Sequence, residues 1–402
     1  MERADVIILG GGLIGLTLAI ALDRHGLSSI VVDPADPGHT LAPAYDGRAT
    51  AVASASFRML EAIGIADRLE GDGCPIRTIR VSDGLAPGGI VFEPGEGDDP
   101  LGIMFENRRL RQVLRESAEE SEHVTLLMPA KPAEIVRDGA GVRVALEDSR
   151  VLAAPLLVGA EGRNSPTREA ASIPIARWSY RHAAIVATIE HERHHENIAY
   201  EIFYPSGPFA ILPMLPGTRS AIVWSVPATD AAAVADLPER AIAAEVGKRM
   251  GGFLGEVRMA GPRWTYPLGF HHAATITAER LALAGDAAHG IHPIAGQGLN
   301  LGFRDAGALT QVLVEGARLG MDLGDAQLLA RYQRWRSLDT FMVAATTDGL
   351  TRLFGVPGRT ASAVRRFGMG LVQRLGPLKE QFMAEARGES GELPLLLRGL
   401  PI

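Results

Sequence analysis

Residues 5–15 read Asp5-Val6-Ile7-Ile8-Leu9-Gly10-Gly11-Gly12-Leu13-Ile14-Gly15, and they decide the fold. Val6 to Leu9 is an unbroken apolar run, the pattern of a strand buried on both faces of a parallel sheet. Gly10, Gly12 and Gly15 follow at G-x-G-x-x-G spacing, and Leu13 to Arg24 reads as a helix. Ser29 to Val32 gives a second strand. Asp33 ends it, roughly 20 residues after the glycines, where an acid that binds a ribose belongs. Glycines let backbone amides approach a ligand with no Cβ in the way, and amides at a helix N-terminus favour negative charge. The whole unit therefore predicts a dinucleotide site. A plain helix-packing turn would leave Asp33 unexplained.

The matching half lies far along the chain. Leu281 to Ala284 is another apolar run, followed by Gly285-Asp286-Ala287-Ala288-His289-Gly290-Ile291-His292-Pro293-Ile294-Ala295-Gly296-Gln297-Gly298-Leu299-Asn300-Leu301-Gly302 and then a helical pattern. The spacing predicts a strand, a ligand-facing loop carrying Asp286, and a helix start at the glycines.

The chain has 402 residues, 47% of them hydrophobic and 22% charged, which supports two modest domains or one large discontinuous one. No apolar run is long enough for a transmembrane helix, and a strand beginning by Asp5 leaves no room for a signal peptide. Cys74 is the only cysteine, so intrachain disulfides are excluded and a reducing cytoplasm is expected. A net charge of −7 argues against nucleic acid as a partner. Residues 351–379 break that balance: Arg352, Arg359, Arg365, Arg366, Arg374 and Lys379 occur there without an acid, interleaved with Leu, Val, Met and Phe. Such a stretch lies on an anionic membrane surface or packs its apolar side on the body with arginines in solvent.

Three segments, 1–75, 101–180 and 270–345, are expected to build one nucleotide-binding domain, with a helix from Thr50 to Leu60. Residues 76–100 and 181–269 alternate in short runs between Pro/Gly turns and read as an inserted antiparallel sheet, with one amphipathic helix over 230–250. Residues 346–402 read as a helical C-terminal segment with proline breaks. The histidines of the polar turn Glu190 to Glu196 read as solvated rather than metal-binding, and no metal site is expected.

Together the two ends resemble the class A flavoprotein aromatic hydroxylases and, more narrowly, the FAD-dependent hydroxylases of ubiquinone biosynthesis. The loop from His292 to Gly302, with Asp305, is similar to that family's signature. Asp46-Gly47-Arg48-Ala49-Thr50-Ala51, Glu106-Asn107-Arg108, Gly207 to Pro213, Thr347 to Phe354 and Gly391-Glu392-Leu393-Pro394 resemble its other segments. Where such hydroxylases usually carry Asp-Gly in a loop contacting FAD and NAD(P)H, this chain has Glu161-Gly162.

The resemblance implies an α/β fold: a Rossmann-like FAD-binding domain with an inserted antiparallel substrate sheet. It implies FAD held by Gly10, Gly12, Gly15, Asp33, Arg48, Arg108, Glu161, Asp286, Gly298, Leu299 and Asn300, the last three facing the flavin. A hydride donor, NAD(P)H or another reductant, would reduce FAD. Molecular oxygen would then add at flavin C4a, and the hydroperoxide would hydroxylate an electron-rich phenol, a polyprenylated one in this family. His289 and His292 are candidates for the base, against the reading that they hold backbone carbonyls, and Pro293 is expected to shape the wall beside the flavin. Phe203, Tyr204, Phe209 and Leu212 either line the substrate pocket or belong to the core. The implied partners are a lipid-like phenol, the inner face of the cell membrane and a biosynthetic complex. The rival readings are a hydroxylase of a small soluble aromatic acid, a flavin-dependent prenyl reductase and a non-catalytic scaffold.

Overall fold

A computed structural model describes residues 1–42, 46–290, 297–337, 370 and 372–402. At its centre lies a six-stranded sheet in the order Thr277–Ala278, Leu281–Leu283, Leu156–Gly159, Val6–Leu9, Ser29–Val32, Val124–Leu127. Neighbours are parallel except at the Thr277–Ala278 edge. The apolar runs read from the sequence are these strands, and Val6–Leu9 and Leu156–Gly159 are buried throughout. The helices Leu13–Asp23, Asn107–Glu120 and Gln297–Arg318 pack into the same core. A four-stranded sheet, Glu2–Arg3 with Val151–Ala154, Gly141–Leu146 and Pro132–Asp138, adds Val142, Val144, Leu146 and Leu152 to it.

The second body is a nine-stranded sheet running from His289–Gly290 through Trp264–Ala273, Ile175–His191, Arg219–Pro227, Gly207–Met214, Ile198–Tyr204 and Thr78–Asp83 to Ile90–Phe92, with Val257–Met259 on Ile175–His191. It departs from a purely antiparallel sheet at one place, where Ile198–Tyr204 pairs in parallel with Thr78–Asp83. That strand arrives from a distant segment, so no hairpin forces the antiparallel sense. The change of character at 180/181 is not a strand end. Ile175–His191 continues through it, and its register on Trp264–Ala273 shifts between Ser179 and Ala183, with Arg181 at φ 54°. The sequence pattern breaks there because a bulge re-aims the side chains.

Two helix expectations change. Residues 49–53 are a strand, Ala49–Ala53, paired with Gly102–Glu106, and the helix starts only at Ser54. Residues 230–250 form two helices, Ala231–Ala235 and Glu239–Met250, because Pro238 breaks the run and opens the second. Met250 ends that helix against Gly251 in the left-handed region.

The large sheet has two unlike faces. Ile185, Ile202, Phe209, Ile211, Ile222 and Trp224 are buried beneath Ile242, Val246 and Met250 of the covering helix. On the opposite face Ala184, Val186, Val223, Tyr266 and Leu268 form a small cluster of their own. Ala199, Phe203 and Leu212 there pack toward Ala49, Ala51 and Met104 of the first body.

Candidate active site

The three glycines of the first turn do different work. Gly10 sits at φ 110°, and a Cβ there would lie 2.4 Å from the Ala160 carbonyl oxygen. A Cβ on Gly15 would lie 1.9 Å from the Gly10 carbonyl oxygen, so this glycine seats the helix on the turn. A Cβ on Gly12 would meet nothing within 4 Å. Gly12 is also the N-cap of Leu13–Asp23 and makes no side-chain cap. Uncapped amides then face open space at the positive end of a helix dipole. Asp33 closes the turn: Gly11 N–H donates to one carboxylate oxygen and Ala35 N–H to the other, both at 2.7 Å.

Arg48 is held by Asp46, with Nε to Oδ1 at 2.9 Å and Nη2 to Oδ2 at 3.0 Å, while Arg111 reaches the same carboxylate at 3.0 Å. Burial works to raise the Asp46 pKa, yet the hydrogen bonds and charge of Arg48 and Arg111 bring it down to about 2. The Arg48 guanidinium lies 5.1 Å from the centre of the Tyr266 ring, on the face of the large sheet that looks toward the first body. Arg108 stands apart. It is exposed, donates from Nε to the Leu41 carbonyl at 2.7 Å and lines a cavity of about 260 Å³ with Asp72, Glu106, Gln112 and Met214.

The second loop packs on the first. Ile14 touches Gly285, and a Cβ on Gly302 would fall 2.6 Å from the Ile14 side chain, so helices Leu13–Asp23 and Gln297–Arg318 cross in close contact at their N-terminal ends. Asp286 is exposed between them, and its side chain has no hydrogen-bond partner among the described residues. Its carbonyl accepts from His271 Nε2 at 2.7 Å, and burial lowers the His271 pKa to about 4, so that ring is neutral near pH 7. Asn300 Oδ1 accepts from Ala53 N–H and its Nδ2 donates to the Ala51 carbonyl, both at 2.9 Å, locking the helix start to the strand Ala49–Ala53. Leu299 packs against the main core, and a Cβ on Gly298 would meet nothing within 4 Å.

His289, expected as a base, is buried and committed elsewhere. Its Nε2 donates to Asp305 at 2.7 Å, and Arg336 Nε donates to the other oxygen of the same carboxylate at 2.7 Å. Gly285 N–H adds a third donor at 2.8 Å. Burial works to raise the Asp305 pKa, but His289 and Arg336 hold it below the usual carboxylate range. The geometry makes His289 a brace for the loop, held to Asp305 through one ring nitrogen. His292 and Pro293 lie outside the described residues.

Glu161 turns inward. Its carboxylate accepts from Ser165 Oγ at 2.6 Å, from Thr167 N–H at 3.2 Å and from the Thr167 hydroxyl. The extra methylene relative to aspartate lets the carboxylate bind its own loop, so Glu161 braces that loop rather than extending toward a ligand. Arg168 ties this loop to the Asp286 loop by donating to the Ala287 carbonyl at 2.9 Å.

The four expected substrate residues separate. Tyr204 and Phe209 face the covering helix: Tyr204 donates to the Arg249 carbonyl at 2.6 Å, and Phe209 is wholly buried against Trp224. They are core. Phe203 and Leu212 lie on the other face, toward the first body. His191 and His195, read as solvated, are buried; His191 bonds the Arg193 carbonyl and Ser220, and His195 the Met214 carbonyl.

Residues 3–343 match the FAD-binding-domain family. A ubiquinone hydroxylase of Rhodospirillum rubrum is 46% identical over 402 residues, covering 99% of this chain and 94% of that protein. The 3-demethoxyubiquinol 3-hydroxylase of Escherichia coli is 32% identical over 96% of this chain and 99% of its own length. The chain belongs to the FAD-dependent hydroxylases of ubiquinone biosynthesis. Among solved structures, p-nitrophenol 4-monooxygenase of Pseudomonas putida shares the fold, with a TM-score of 0.80 at 17% identity over 98% of this chain and all of that one.

These residues fit the cofactor that membership in this family implies. Gly12 offers the open cradle, the uncapped helix start offers amides to a pyrophosphate, and Asp33 keeps lone pairs beyond those its two amides use. Asp286 presents a carboxylate with no hydrogen-bond partner among the described residues, beside the second helix start, where hydroxyl groups of the FAD side chain would find an acceptor. In such a hydroxylase Asp305, Arg336, His271 and Arg168 are the parts that sequence reading missed. Asp305 lies within the family signature, but only folding shows that a distant arginine and a loop histidine meet on it.

Proposed function

We propose that this FAD-dependent aromatic monooxygenase hydroxylates the ring of a polyprenylated phenol or quinol on the route to ubiquinone. The observation that carries the reading is end-to-end similarity to a ubiquinone hydroxylase, at 46% identity over 99% of the chain. When bound, FAD would carry electrons from NAD(P)H or another reductant to molecular oxygen and deliver one oxygen atom to the ring. The protein's part is placement: the two helix starts fix the cofactor, and the apolar sheet face of Val186, Val223, Leu268 and Leu212 holds an apolar ring and excludes water. Arg48 and Arg219, which reach this side, are paired with Asp46 and Glu106. That favours a neutral phenol over a small aromatic acid, whose carboxylate would want a cation of its own.

A polyprenyl substrate is drawn from a bilayer, and the basic stretch 351–379 suits an anionic surface at about 1 kcal/mol per cation. Of that stretch only Gly370 and residues 372–379 are described, where Arg374 and Leu375 are exposed. No helix among the described residues is long and apolar enough to cross a membrane. We place the protein at the inner face of the cell membrane, bound peripherally. Binding to anionic vesicles should then weaken with salt.

The test is a strain lacking the gene, with quinone precursors identified by mass spectrometry, together with purified holoprotein given a short-chain phenol and isotopically labelled oxygen gas. A prenylated precursor one ring hydroxyl short should accumulate, and the purified protein should incorporate labelled oxygen. Normal quinone content in the deletion strain, or a product without the label, would overturn the reading.

A further inference from the structure

Along the strand Ile198–Tyr204 side chains alternate between faces. Ala199 and Phe203 pack toward Ala49, Ala51 and Met104. Glu201, between them, shares their face, the one opposite the strand that Asn300 locks to the second loop. Its cross-strand neighbours are Val81 and Ala210, and Val223 follows beyond Ala210. A carboxylate thus stands in an apolar row, only partly accessible, with no hydrogen bond or ion pair among the described residues. Desolvation by this surface pushes its pKa up to about 7. An ionised carboxylate on an apolar face costs more free energy than an uncharged side chain in its place.

We propose that Glu201 is the catalytic base for the substrate's phenolic hydroxyl. This rests on the reading of the chain as a phenol hydroxylase. The O–H bond of the phenol breaks and its proton passes to a Glu201 carboxylate oxygen. The electron pair stays on the phenolic oxygen and is shared with the ortho and para carbons, which become the nucleophile toward the incoming oxygen atom. The new C–O bond would form as the O–O bond of dioxygen breaks, with two electrons from reduced FAD and the second oxygen leaving as water, and that carbon then loses its hydrogen as a proton to solvent. The ring recovers its aromaticity, and Glu201 returns its proton to the phenolic oxygen.

The other charged groups on elements around this face are Asp83 on the neighbouring strand, Arg219 paired with Glu106 at 3.1 Å, and Arg48 paired with Asp46. Lys379, Glu380 and Glu385 lie on the helix Gly376–Ala386, which packs nearby through Phe382 and Met383. Burial is the cause of the Glu201 shift, and none of these charges contributes to it. The base form therefore appears as pH rises through about 7.

The experiment uses FAD-loaded wild type, Glu201→Gln and Glu201→Asp. Each is reduced with dithionite, so that the natural donor is irrelevant, and mixed with oxygenated buffer and a soluble short-chain phenol. Hydroxylated product and hydrogen peroxide are then measured against pH, with phenol affinity and flavin content measured separately. Product from wild type should rise with pH through about 7. Glu201→Gln should keep its flavin and bind the phenol within a few-fold, but form product roughly 100-fold more slowly, releasing peroxide instead. A ring-fluorinated phenol, already ionised at the assay pH, should restore most of the lost rate. A glutamine variant with wild-type product yield and pH profile would overturn the proposal, as would a loss that the ionised phenol does not rescue. Wild type that binds the phenol and never hydroxylates it would overturn the hydroxylase reading itself.

Discussion

Asp305 and Glu201 are both carboxylates set among apolar residues, one in the first body and one on the large sheet, and the molecule treats them oppositely. Asp305 is wholly buried and receives His289, Arg336 and the Gly285 amide, so its pKa falls. Glu201 receives nothing among the described residues, and its pKa rises to about 7. Glu161 lies between these cases, bonded by hydroxyls and an amide but, among the described residues, by no cation. The contrast separates support from chemistry. A carboxylate that holds loops together is fully partnered, whereas one that must exchange a proton with a ligand leaves its oxygens open.

The largest expected effect is at Asp305. Asp305→Ala removes the buried carboxylate that joins Arg336, His289 and the Gly285 amide and should cost about 3–5 kcal/mol of stability by urea denaturation. Because the Asp305 pKa is lowered in the fold, its contribution is present above the usual carboxylate range and is lost as pH falls. An unfolding midpoint equal to wild type at pH 7 would mean that the network is not what joins the Asp286 loop to its helix.

Glu201→Gln should act in the other direction. A carboxylate whose pKa rises from 4.5 to about 7 on folding destabilises the native state increasingly between those values. The glutamine variant should therefore melt higher than wild type above pH 7, with the difference gone below pH 4.5. Equal melting temperatures across that range would place a partner on Glu201 and erase the contrast. Glu161→Asp, the smallest change, withdraws the carboxylate from Ser165 and Thr167. It should cost about 1 kcal/mol, in the range of one net hydrogen bond, with flavin content unchanged. Loss of flavin in that variant would show that the loop carries more than its own support.

Much of the nucleotide-binding body is legible in the sequence because its signals are local. An apolar run of four, glycines at fixed spacing and an acid after the second strand are read within about thirty residues. The single helix expected over 230–250 and the helix expected from Thr50 fail for local reasons too: Pro238 breaks the first, and the strand Ala49–Ala53 stands at the edge of the second. The sheet residues were harder. Phe203, Tyr204, Phe209 and Leu212 look alike as apolar strand residues, and only the position of the covering helix says that Tyr204 and Phe209 are core. The one local hint at Glu201 was a charge amid Ala199, Ile202 and Phe203, which alternation alone would have placed on the Ala199–Phe203 face.

By itself, then, the sequence determined the parallel sheet, the glycine turn, Asp33 and membership in a hydroxylase family, because backbone conformation and burial period are set by neighbours in the chain. Tertiary structure alone decided which distant residues pair with which carboxylates. Arg336 reaches Asp305 across 31 positions and Arg219 reaches Glu106 across 113. Charge pairing depends on distances of a few ångströms in space, and no spacing along the chain encodes them.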